Sequence, residues 1–109
     1  MRKRSSIISK ARLDALLEEA TVDCYGQSEE IVGIFTMLEE NLQLPFETTV
    51  LGTPVTITSV DLTGNEQIVA VYVRGRNRQR IPIVDLLLPS PPPAGAEWIE
   101  AYRRWLRHQ

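Results

Sequence analysis

The chain has 109 residues, 43% of them hydrophobic and 24% charged, with a formal net charge of -2. Those totals describe ordinary soluble globular material of one domain, and no apolar run approaches the roughly 20 residues of a membrane span. The small net charge hides a segregation: eleven of the 14 acids, all but Asp85, Glu97 and Glu100, lie between Leu13 and Val73, a stretch without a Lys or Arg.

Met1–Ile8 reads as a basic, frayed tail. It lacks a long apolar stretch and a small-residue cleavage site, so it is not read as a signal peptide. From Ser9 to Tyr25, Leu13, Leu16, Leu17 and Ala20 recur at helical spacing. Gly26 is the expected C-cap of that helix and Ser28 the expected N-cap of a second. Ile31, Ile34, Phe35, Leu38 and Leu42 form the second helix's apolar stripe, which Leu44-Pro45 ends. Residues 9–43 therefore predict a helical hairpin.

Residues 46–87 then change period. Phe46–Leu51, Pro54–Leu62, Gln67–Arg74 and Gln79–Leu87 are rich in Val, Ile, Thr and Tyr and are separated by Gly and Asn turns. This predicts an antiparallel meander of four or five strands, closed as a small SH3-like barrel or left as a sheet with helices on one side. Residues 89–95, Pro-rich, form an extended strap. Residues 96–109 form a last helix with Trp98, Ile99, Tyr102, Trp105 and Leu106 at core spacing. The expected fold class is α+β, and residues 1–109 are read as a single domain.

Little here suits an enzyme. His108 is the only histidine and stands next to last, Cys24 is the only cysteine, and no Ser/His/Asp set, phosphate loop or zinc cluster is present. A single cysteine fits a reducing, cytoplasmic compartment, with Cys24 as a structural thiol. Carboxylates are the more specific signal. Glu39 and Glu40 fall in the last turn of the second helix, against the negative end of its dipole, and Asn41 adds an amide oxygen. Calcium takes six to eight such oxygens. Glu29 and Glu40 are about 16 Å apart at roughly 1.5 Å per residue, so they cannot share one ion, which permits two sites. One is expected near the inter-helix loop with Asp23, Glu29 and Glu30, the other at the helix end with Glu39, Glu40 and Asn41. Asp61 and Asp85, at strand ends, are candidates to complete either. The EF-hand spacing is absent.

The competing signal is Arg74, Arg76, Arg78 and Arg80, which at every second position would line one side of a strand-turn-strand and serve a nucleic-acid or protein interaction module. A sequence pI of about 5.4 and the absence of aromatics among these residues speak against nucleic acid.

Asp23-Cys24-Tyr25, Phe35 to Leu42, Leu44 to Gly52, Arg78 to Ile83, and Pro91-Pro92-Pro93 through Glu97 to Trp105 together resemble the cyanobacterial-type calcium-binding protein family. The resemblance runs from about residue 16 to 106 in the right order and leaves out residues 1–12. It implies a soluble intracellular calcium binder or buffer with acidic ligands outside an EF-hand, with no membrane association and with a downstream partner it does not name.

Overall fold

The computed structural model describes residues 8–109. Most of the basic head expected at residues 1–8 thus lies outside the described residues, and Ile8 already packs against the core.

Helix α1 spans Lys10–Thr21, with the Ser9 hydroxyl accepting from the Arg12 amide as N-cap. It is shorter than the periodicity suggests, because Val22 is extended and Asp23 turns the chain at φ 64°. Gly26, at φ 114°, is not the cap of the first helix but the N-cap of the second, α2, Gln27–Asn41. Ser28 is therefore inside α2, where its hydroxyl is free to reach another element. Leu13, Leu16 and Ala20 of α1 and Ile31, Ile34 and Leu38 of α2 are buried, as their spacing requires. Gly33 sets how near the two helices run. A Cβ there would stand 2.2 Å from the Ala20 carbonyl oxygen.

Four strands follow: β1 Phe46–Val50, β2 Thr53–Leu62, β3 Ile68–Arg74 and β4 Asn77–Pro82. They form one antiparallel sheet in the order β1-β2-β3-β4. β1 and β4 are its two edges, so the meander is an open sheet and not a closed barrel. β4 ends sooner than the apolar run to Leu87 implies. Pro82 has no amide hydrogen for a ladder, and Ile83–Asp85 turns into a short 3-10 helix. A bulge between Ile57 and Ser59 shifts the β2–β3 register.

Phe46, Ile57, Val60, Ala70 and Tyr72 face the helices in one core. Helix α3, Glu97–Arg107, closes that core with Trp98, Ile99, Ala101 and Tyr102. Polar contacts from three of its side chains help to fix its position. Arg103 donates to the carbonyls of Val84 and Leu86, Arg104 pairs with Asp14 of α1 at 2.7 Å, and the Trp105 indole donates to Glu30 of α2 at 2.8 Å. Among the described residues no polar or charged side chain is buried in the core. Among the described residues no helix is long and apolar enough to cross a membrane.

Candidate metal-binding surface

The carboxylates stand on the rim of this fold. Asp23, at φ 64°, holds the loop between α1 and α2, and Glu29 and Glu30 occupy the first turn of α2. There the positive end of the helix dipole favours them. Glu29 Oε1 accepts from the Tyr25 amide at 3.0 Å, which closes the loop onto the helix. Partial burial pushes the Cys24 thiol up from its ordinary pKa, and the charges of Glu29, Glu30 and Asp23 push it further. Those three carboxylates thus act on one sulfur, which stays a thiol and donates to the Glu29 carbonyl.

A fourth carboxylate comes from elsewhere. Glu66, at φ 61° in the turn between β2 and β3, accepts from the Ser28 hydroxyl at 2.5 Å. The Glu66 amide donates to the Thr63 carbonyl and the Gln67 amide to the Thr63 hydroxyl, so this turn is held by its own hydrogen bonds. Sequence reasoning left Glu66 out of the site. Its local pattern marks a turn residue, and only the packing of the sheet under α2 brings residue 66 to residue 28.

Glu39 and Glu40 are exposed in the last turn of α2, where no basic side chain offsets the helix dipole. The Asn41 amide nitrogen donates back to the Met37 carbonyl at 2.8 Å, which leaves the Asn41 side-chain oxygen as an acceptor. The strap is stitched to this helix end. The Gln43 amide donates to the Ala94 carbonyl, and Gly95 at φ 86° lies so near that a Cβ would stand 2.1 Å from the Asn41 carbonyl oxygen.

Asp61 and Asp85 are not brought to either group. Asp61 pairs with Val69, on the sheet face opposite the helix-facing residues Val60 and Ala70, and its carboxylate accepts from the Leu62 amide. Asp85 is the exposed last residue of the 3-10 turn beyond β4, whose first residue Ile83 is buried in the core. Among the described residues no three His, Cys, Asp or Glu side chains stand close enough to hold an ion together. The chemistry of the donors fits calcium, since they are hard oxygens with few cations beside them, but they do not form a ready cage.

The four Arg residues do not share a side. The two-residue reversal at Gly75-Arg76 sets Arg74 opposite Asn77, while Arg78 and Arg80 lie opposite Val73 and Val71 on the other face. Cross-strand partners share a face, so Arg74 is turned away from Arg78 and Arg80. The expected one-sided stripe is instead a ribbon with guanidinium groups on both faces.

No model of a protein family matches the sequence, and no curated protein matches it. Among solved structures, the crystal structure of CcbP from Anabaena superposes with a TM-score of 0.70, covering 94% of this chain and 95% of that one. The two chains share a fold. At 16% identity the likeness speaks for the backbone and its element order, and the site chemistry rests on this chain's own residues.

Proposed function

We propose that this protein binds calcium through acidic side chains outside an EF-hand and serves as a non-enzymatic calcium buffer in the cytoplasm. The carrying observation is the fold shared, nearly end to end, with CcbP, a cyanobacterial calcium-binding protein. That is the family which the sequence segments also resemble. The surface chemistry supports the reading. Of the acids between Leu13 and Val73, only Asp14 has an ion-pair partner among the described residues. Uncompensated carboxylates repel one another in the compact state, and a divalent cation relieves that.

Two ligand groups are proposed. At the helix end, Glu39 and Glu40 would hold the ion with the Asn41 side-chain oxygen, and the ion would offset the adverse dipole. At the loop, Asp23, Glu29 and Glu30 would move together around the ion, and Glu66, hydrogen-bonded to Ser28 in the same helix turn, is the further carboxylate we propose for that group. Water and backbone carbonyls complete such sites, since calcium tolerates irregular shells. The test is thermal unfolding of chelator-stripped protein. Calcium should raise the melting temperature, because a ligand bound only by the folded state stabilises it by mass action. A melting curve unmoved at millimolar calcium would overturn the proposal.

A further inference from the structure

Beyond Tyr72, which still pairs with Ile57 of β2, Val73 and Arg74 pair only with Arg78 and Asn77 of β4. The tip of the β3–β4 hairpin is therefore a two-stranded ribbon that leaves the sheet. It carries Arg74, Arg76 and Arg78, with Arg80 just behind, and all four are exposed. None makes an ion pair among the described residues. Val73 is half exposed between them, and β4 is an open edge. Arg presents a planar fork that suits carboxylates and phosphates, and two charged faces suit a partner that meets the ribbon from both sides. A long polyanion is disfavoured, because the same domain carries all 14 of its acids outside the ribbon.

We propose that this ribbon docks on the acidic surface of a second copy of the chain. The complementary charge is in the same molecule. Glu18, Glu19, Asp23, Glu29, Glu39 and Glu40 are exposed or nearly so on α1, α2 and their loop, and pair with no base among the described residues. Ribbon and acidic face are different patches, so the contact is made either twice across a two-fold axis or head to tail into rings or short chains. Resting on the calcium reading above, one consequence follows. Calcium and the ribbon compete for the same carboxylates, so calcium dissolves the assembly and assembly weakens calcium binding, by the reciprocity of linked equilibria.

Sedimentation velocity on chelator-stripped protein tests this, over a concentration series at low ionic strength. The mass should rise with concentration and fall as salt screens the exposed charges. The variant R76Q/R78Q/R80Q should associate at least about tenfold more weakly, roughly 1.4 kcal/mol. A wild type that stays monomeric throughout would overturn the proposal. So would a variant that associates as strongly or more strongly, the result expected if these Arg residues only guard an open edge strand. The reversed variant R76E/R78E/R80E keeps its acidic face, so mixed with wild type it should give capped heterodimers, and their absence would count against docking. Tight binding of a single-stranded oligonucleotide by the ribbon, without self-association, would assign it to nucleic acid instead. Association that forms while calorimetry finds no calcium binding would sustain docking and remove the calcium reading. Association that persists in bound calcium would place the contact away from the calcium carboxylates and refute the competition.

Discussion

The Trp105 indole donates to the Glu30 carboxylate, so one of the proposed loop ligands is wired to an optical reporter. Calcium drawn to Glu30 must alter that hydrogen bond. Trp98 is buried at 4% exposure and touches no carboxylate by hydrogen bond among the described residues. Calcium should therefore change the emission of the wild type, and Trp105→Phe should remove most of the change. A full response in Trp105→Phe would show that the loop does not take the ion. At the other helix end, Glu39→Gln with Glu40→Gln deletes two charges that the dipole opposes. The calcium-free protein should keep or gain stability, by up to about 1 kcal/mol. Calcium affinity should fall roughly tenfold or more, about 1.4 kcal/mol. The matched control is Glu18→Gln with Glu19→Gln. Asp14 is unsuitable as a control, since Arg104 holds it. Equal losses in both double variants would mean a field effect of the whole acidic block. Asp14 carries its own pH signature. Its hydrogen bond to Arg104 lowers its pKa below the ordinary 3.8. A carboxyl lowered on folding contributes stability above its unfolded value, and loses that contribution as the pH falls through the folded value. Melting temperatures of wild type and Asp14→Asn should thus differ near neutrality and converge below about pH 3.8. A gap that persists unchanged in acid would mean the pair adds nothing.

At the scale of elements, Gly33 and Gly95 set the spacing on which the rim depends. Gly33→Ala would gain up to about 1 kcal/mol from helix propensity. The new Cβ would meet the Ala20 carbonyl, which is backbone and cannot swing aside. Overpacking of this kind costs about 1–3 kcal/mol, so the variant should be less stable by denaturant unfolding. A more stable Gly33→Ala would contradict the close α1–α2 packing. The helical hairpin was legible because Leu13, Leu16, Ala20, Ile31, Ile34 and Leu38 repeat at a spacing that only a buried helix face explains. The strands were legible from β-branched runs between Gly and Asn turns. Their closure was not, because sheet and barrel share the same strand pattern, and only the unpaired edges of β1 and β4 decide. The same holds for the Arg residues. Spacing by two predicts one face within a strand, but the Gly75-Arg76 reversal breaks the count. Gly26 shows a related limit, since a glycine between two helices serves the first or the second and composition does not say which. Glu66 was illegible for a different reason: its contact with Ser28 spans 38 residues and belongs to the packing alone.

For the whole molecule the governing fact is where charge sits. Eleven acids in a base-free stretch, most of them without ion-pair partners among the described residues, give the folded domain an electrostatic cost that a bound cation would remove. The fold places nine of these acids on α1, α2, their loop and the β2–β3 turn, with Glu47 in β1 and Asp61 in β2, and keeps the core free of buried charge among the described residues. Selectivity separates discrete sites from a diffuse acidic surface. Magnesium demands a near-ideal octahedral shell and sheds water reluctantly, whereas ligands gathered from separate segments suit calcium. Calorimetric titration of the chelator-stripped protein with calcium, and then with magnesium, tests the central claim most directly. Saturable calcium binding that magnesium matches only at far higher concentration is the predicted result. No calcium heat, or equal binding of both ions, would contradict it.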